Sequence, residues 1–449
     1  MLYSNLIVHG TMKNKISIAA ATSVGLGAII GAGIFVLSGT AIALAGSDAL
    51  FAFIFVGIVA LIVAFELGEL GSIMPHSKGA SYSYVYNAFG SELGFVTGIL
   101  LYFSYSTAIS AISLGFGAYL TSLLGLHGSI YIYASALALI AVLSFVNILG
   151  IRKAANADMG LVVVKVSILV LFIAFGLLIA LAHSNSILGN FSVQQSKNNI
   201  GAIFAASVAV FFAYSGFQAI STFSDKVKNG AKGAAKAIVL SVIISIILYV
   251  LVMLTLLLLA PASTYKIAAD PLAFALHYSS APNWLSVLVD IGALIATASA
   301  TLAMILSSSR MLYQISADGL LPKVFRKYSK KKDVAINGVL FSSIIGVIML
   351  FSGNIFIIAA ISNFGLIFSY LMSSFAILHF RREKILHDFK VPLYPYSVIF
   401  SIIMLMAFMI GMPKEALIIG IVIILCLIIV YYFFRELEGK KVVKIRLFK

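Results

Sequence analysis

The chain has 449 residues, 62% of them hydrophobic and 10% charged, with a formal net charge of +15 and a mean hydropathy of +1.11. That much apolar side chain exceeds what a soluble domain of this size holds inside. A single cysteine, Cys426, and seven scattered histidines argue against disulfides, a cysteine-based metal site and an HExxH centre.

Long apolar runs recur from end to end without two-residue alternation, which predicts an all-α membrane protein and not a barrel. Twelve spans are expected, at 17–44, 48–71, 91–121, 129–149, 157–182, 200–223, 235–260, 284–312, 336–353, 355–380, 396–412 and 415–434. Residues 1–16 read as a cytoplasmic tail and not as a cleavable signal; 435–449 read as a basic cytoplasmic tail. Segments 183–199 and 261–283 are the longest external connections expected. With the N-terminus inside, 26 of the 30 Lys and Arg residues fall in cytoplasmic segments, and Lys197, Lys266 and Lys414 fall outside. This asymmetry predicts both termini in the cytoplasm, in the cell membrane. The positive charge is spread over loops beside a membrane surface, where anionic lipid attracts it, so nucleic acid is not an expected partner.

The first span contains GLGAIIGAGIF at 25–35. Each glycine inside a helix costs about 1 kcal/mol against alanine. Three readings compete: close helix packing through Gly27 and Gly31, lining of a pore, or a helix broken near the bilayer midplane, where freed main-chain groups bind a ligand. The broken-helix reading predicts a second irregular span. The sixth supplies FFAYSGFQ at 211–218, where Tyr214, Ser215, Gly216 and Gln218 interrupt an apolar run. Gly31 and Gly216 lie five spans apart, the spacing of a five-helix repeat inserted in opposite orientations.

Other residues stand out along the chain. Glu66 and Glu69 lie one turn apart at the inner end of the second span and read as contacts to a neighbouring helix and a loop, not as catalytic acids. Tyr102 and Tyr105 read as core. Lys165 sits in the middle of MGLVVVKVSILVLFIAFG, where a lysine is costly to insert and marks function by default. Asp290, near the outer end of the eighth span, reads as interfacial, and Asp318 with Gly319 as structural loop chemistry.

Four stretches, GAIIGAGIF at 27–35, ELGSIMPHSKGASYSYV at 69–85, FFAYSGFQAISTFSDKVKN at 211–229 and RMLYQISADGLLPKVF at 310–325, resemble the amino acid–polyamine–organocation transporter superfamily. The resemblance spans residues 17–435. The chain departs from the family's usual acidic residue at Gln218, from its Glu-Glu pair and Asn-Pro at Asp225-Lys226 and Asn229-Gly230, and from Gly-Gly at Lys78-Gly79.

The resemblance implies the leucine-transporter fold: a five-helix repeat over 17–182, a second, inverted repeat over 200–380, helices 1 and 6 broken, and two peripheral helices over 396–434. It implies a substrate carboxylate on main-chain N–H groups around Gly31, Ala32 and Gly33, with Ile29 at the edge. The α-amino group would meet carbonyls near Ile29, Phe212 and Ser215, and Phe211 or Phe212 would close over the ligand. Several relatives carry lysine at the Lys165 point of helix 5, where its ammonium takes the place of a sodium ion. Its partners would be the carbonyl near Gly27 and a hydroxyl of Ser299 or Thr297.

The expected function is therefore secondary active transport of an amino acid by alternating access, proton-coupled and sodium-independent, with exchange without net proton movement and passive conduction as the alternatives. No enzyme activity, cofactor or metal is expected. The absence of an acid beside the site favours small or branched neutral amino acids.

Overall fold

The computed structural model describes residues 15–75, 79–182, 200–267, 270–329, 332, 334–385 and 388–437. Fifteen α-helices account for most of them, and the only β-pairings among the described residues are two isolated bridges. The first span forms two helices, α1 (Ile18–Ile29) and α2 (Ala32–Ala45). Next come α3 (Ala49–Ile73), a short α4 (Ser81–Phe89), α5 (Ser91–Leu123), α6 (Ser129–Leu149) and α7 (Ile151–Ala182). The sixth span is α8 (Ile200–Ala213) followed by a 3₁₀ helix over Phe217–Lys226. Then come α9 (Gly230–Leu259), a short α10 (Pro271–Tyr278), α11 (Asn283–Ala317), α12 (Ile336–Met349), α13 (Ile355–Arg382), α14 (Tyr396–Ile410) and α15 (Lys414–Leu437).

Nine described helices are long and apolar enough to cross a membrane, or ten if the bent pair α1–α2 is counted as one span. The expected spans at 336–353 and 396–412 are helical over only 14 and 15 residues. At 1.5 Å per residue those reach roughly 21–23 Å, short of the roughly 30 Å hydrocarbon core. The sequence signal there is hydropathy, which runs on into the flanking turns at Leu350–Phe351 and Gly411–Met412. Two short helices went unanticipated because each lies in a loop: α4 after the second span and α10 in the external connection. The expected external segment 183–199, the first 14 residues and the tail from 438 lie outside the described residues.

Packing follows burial. α5 is the central element, buried along almost its whole length, and packs on α11, α13, α6 and α4. α1 packs on α9, α2 on α8, and α3 on α9. This sets the two interrupted spans side by side in the interior. Ser17 caps α1 by accepting from the Ala20 N–H at 3.1 Å, satisfying one of the free donors at the helix start. Just before it, Ile16 O accepts from Lys228 N at 2.7 Å, which ties the start of the first span to the end of the sixth.

Candidate functional site

At the first break, helical hydrogen bonding stops after Ile30, whose N–H still reaches Leu26 O at 2.7 Å. Gly31 then turns at φ −129°, ψ −141°, and α2 begins with no side-chain cap. The first-turn N–H groups of α2, from Ala32 onward, therefore open toward the break. The two halves meet at 45°. Both flanking glycines are sites of close approach. A Cβ on Gly33 would lie 2.1 Å from Ala213 Cα, in the backbone of α8, and one on Gly31 would lie 2.7 Å from Ala300 Cβ on α11. Close packing and a helix break thus coexist in this stretch, with the close approaches at Gly31 and Gly33. The glycines that allow the break also let α2 lie against α8.

At the second break, α8 ends at Ala213. Ser215 doubles back, its N–H at 3.2 Å and its hydroxyl at 2.7 Å from Phe212 O. Gly216 takes φ +113°, a left-handed conformation that side chains resist. A Cβ there would also lie 2.5 Å from Ala28 O, so the two breaks touch. Gln218 fastens this turn. Its Oε1 accepts from the Gly216 N–H at 3.0 Å and from the Tyr370 hydroxyl at 2.6 Å, while its Nε2 donates to the Tyr105 hydroxyl at 2.9 Å. The position that departs from the family's acidic residue is thus a neutral cross-link between the sixth span, α5 and α13.

Lys165 of α7 is fully buried. Its Nζ donates to Gly27 O at 3.1 Å, Ile30 O at 3.3 Å and Ser299 Oγ at 3.0 Å. Of the two hydroxyls the sequence left open, Ser299 is the one in reach. Thr297 Oγ1 donates instead to Ala293 O (2.7 Å) and Leu294 O (3.2 Å) of its own helix. The carbonyls of Gly27 and Ile30 flank the break, so the lysine ties α7 and α11 to the unwound segment.

The aromatic residues divide. Phe211 packs its ring on Tyr370 (6.0 Å) and Phe408 (5.7 Å), in the wall between α8, α13 and α14. Phe212 is buried beside it in sequence. The side chain of Ala32 lies outside the described residues. Sequence reasoning missed Tyr249 of α9. Its hydroxyl reaches Ile29 O at 2.9 Å and Ala213 O at 3.1 Å, the last carbonyls of both half-helices. The available signal was a tyrosine inside the apolar run of the seventh span, since a buried phenol hydroxyl needs a partner.

The remaining polar residues are accounted for elsewhere. Glu69 is bound bidentately by Arg381 (2.6 and 2.8 Å) and accepts from the Val391 N–H at 2.6 Å. Asp318 accepts from the Tyr82 hydroxyl at 2.7 Å. Burial, then that hydrogen bond and the aspartate's charge, push the Tyr82 phenol well above its ordinary range. Asp290, expected at the interface, is instead buried with Oδ1 unpartnered, because α11 lies against α10 and α5 there. A cavity of about 730 Å³ at the C-terminal end of α5, lined by His127, Asp270, His277 and Asn354 among others, shares no lining residue with the two breaks.

The geometry is that of a helical bundle core with two facing interruptions, a known arrangement in carriers, and comparisons with other proteins agree. The chain is 25% identical to the branched-chain amino acid permease BcaP of Bacillus subtilis, over 96% of this chain and 95% of the relative. It is 28% identical to the methylthioribose transporter of the same organism, over 87% of each. It is also 28% identical to the BcaP of Lactococcus lactis, over 83% of this chain and 84% of the relative. The amino acid permease family matches residues 21–441. These are multi-pass membrane transporters, not enzymes, and this chain belongs to the amino acid permease family.

Proposed function

We propose that the chain is a secondary active transporter of amino acids in the cytoplasmic membrane, with twelve spans in two inverted five-helix repeats (17–182 and 200–380), two peripheral helices and both termini cytoplasmic. The observation that carries this reading is the contact between the two breaks, Ala28 against Gly216, with Lys165 on the carbonyls of the first. The substrate carboxylate would sit on the α2 N-terminus at Gly31, Ala32 and Gly33, where the N–H groups of Ala32 and Gly33 and the helix dipole favour an anion, and where the Gly31 N–H would have to leave Ile29 O to join them.

The ammonium group would bind by exchange of partners. A carbonyl oxygen has two lone pairs, and two are already committed: Ile29 O accepts from Gly31 N (2.8 Å) and Tyr249, and Phe212 O accepts twice from Ser215. An incoming ammonium takes the place of the Tyr249 hydroxyl on Ile29 or of the Ser215 hydroxyl on Phe212. Branched-chain amino acids are the first substrates to test, because two of the relatives are named for them.

Lys165 would supply the coupling. Its ammonium occupies the place of a coupling cation, so no sodium is needed. Burial disfavours the charged form, and three oxygens favour it. Proton loss would leave two N–H donors for the three acceptors Gly27 O, Ile30 O and Ser299 Oγ, so at least one of these bonds would be given up and the hold on the first break would change. The test is uptake of leucine, isoleucine and valine into proteoliposomes under an imposed pH gradient, without sodium. Accumulation against the substrate gradient supports proton coupling. Strict dependence on internal amino acid assigns exchange, and equilibration alone assigns passive conduction. A thermal-shift screen across amino acids and methylthioribose identifies the ligand by its stabilisation of the folded protein.

A further inference from the structure

The interior holds a second ionisable group that the site above does not use. Glu66 of α3 is fully buried, one turn deeper than the Glu69–Arg381 pair. Its carboxyl lies at the junction of three helices. Ser374 of α13 donates to Oε2 at 2.5 Å, and Ser401 of α14 donates to Oε1.

Among the described residues, the surrounding groups leave it without a counter-charge. On its own helix, Glu69 is of the same sign. On α13, Arg381 is committed to Glu69 through both Nε and Nη2, His379 packs at a tilt against Phe89, and the Tyr370 hydroxyl is given to Gln218. α14 carries no charged residue between Tyr396 and Ile410, nor do α2 and α8 along their lengths. On α9, Lys232 and Lys236 are exposed, and the Tyr249 hydroxyl is on Ile29 and Ala213. A buried carboxylate with two hydroxyl donors and no cation is costly, whereas the neutral acid is not.

The two serines are arranged to serve either form. Ser374 Oγ also reaches Tyr370 O at 3.1 Å, and Ser401 Oγ also reaches Val398 O at 2.9 Å. When Glu66 is ionised, both hydroxyl protons point at it. When it is protonated, its own O–H donates to one serine, whose proton turns to the backbone carbonyl of its helix. The other serine continues to donate to the carboxyl. Every donor keeps an acceptor in both states, and no heavy atom has to move.

We propose that Glu66 is a reversible proton-binding site, neutral in this conformation, that links α3 to α13 and α14 and is separate from Lys165. Release of its proton leaves an unpaired charge at that junction and loosens it. Proton occupancy therefore sets how firmly the second span is held against the tenth and eleventh.

The test uses the purified full-length protein and Glu66→Gln, which keeps the shape of the neutral acid and cannot ionise. Infrared difference spectra, wild type minus variant, are taken in steps from neutral to alkaline pH. The expected result is a protonated-carboxyl band in the wild type at neutral pH that fades as pH rises. Thermal melting follows the same sign. The neutral acid's stabilising contribution is present at low pH and is lost as the folded protein deprotonates, so the wild type falls below Glu66→Gln on the alkaline side. Absence of the band at neutral pH, or melting curves that stay parallel, overturns the proposal and makes Glu66 an ionised structural contact. If Glu66→Gln does not fold, Glu66→Asp is used, and the band must shift in frequency. The uptake arm rests on the transporter reading: Glu66→Gln should lose the alkaline decline of the wild-type profile. Infrared and melting results as expected, in a protein that moves no amino acid, would leave Glu66 standing and remove the transporter reading instead.

Discussion

The two breaks are built differently although they meet. The second, at 213–217, has local support of its own, with Ser215 bonding Phe212, Gln218 bonding Gly216 and Gly216 supplying the left-handed turn, to which the remote hydroxyls of Tyr105, Tyr370 and Tyr249 are added. The first, at 29–33, has no comparable local support beyond the Gly31–Ile29 hydrogen bond at 2.8 Å. Its carbonyls are held by side chains from far along the chain, Lys165 from α7 and Tyr249 from α9. A segment held by remote donors is open to control by those donors, and one of them is titratable. If Lys165 couples transport to protons as proposed, the first break is where that coupling would act.

The largest effect expected is from glycine replacement. Gly33→Leu should abolish uptake, because even its Cβ would overlap the backbone of α8 at Ala213; overpacking of this kind costs about 1–3 kcal/mol or more. Gly216→Leu should do the same through the turn and Ala28. Membrane insertion of both variants, checked by surface labelling, is expected to survive. Normal transport by Gly33→Leu would break the idea that the two half-spans must lie in contact.

Lys165→Ala should come next, abolishing pH-driven uptake while substrate binding, read by thermal shift, persists. Undiminished accumulation would show that the first break is not under proton control. Tyr249→Phe should be milder. It removes one hydroxyl shared by two carbonyls, a loss of about 0.5–1.5 kcal/mol in stability. Because the substrate ammonium would displace that hydroxyl, the variant should bind substrate no more weakly than the wild type; clearly weaker binding would mean that Tyr249 assists the ligand. The smallest expected difference sharpens the lysine's environment. Ser299→Ala should shift the pH profile of uptake, while Thr297→Val, whose hydroxyl serves its own helix, should not.

Much of this was readable from the residues. Gly25, Gly27, Gly31 and Gly33 in one apolar run marked the first break, and Tyr214-Ser215-Gly216 marked the second, because backbone that must turn leaves a local signature. Lys165 announced itself because a cation in an apolar run has no cheap explanation. Tyr249 did not, since its acceptors exist only once two distant helices end side by side. The use of Gly33 was half legible: the sequence says that a side chain is absent, not that Ala213 lies where it would go. Asp290 was misplaced for a related reason. Hydropathy ranks depth along a helix but not which neighbours cover it, and α10, which helps to cover it, was itself hidden in a loop. The lengths of α12 and α14 were overestimated because apolar residues continue through their turns.

The hydrogen bond from Lys228 N to Ile16 O has a mechanical consequence. In the proposed topology it joins the inner leg of the first span to the inner leg of the sixth just beyond their cytoplasmic ends, while the two legs meet again at Ala28 and Gly216. Two struts pinned at both ends form a closed frame, and such a frame resists shear between its members. The inner legs should then swing as one rigid arm, with a single hinge line through both breaks.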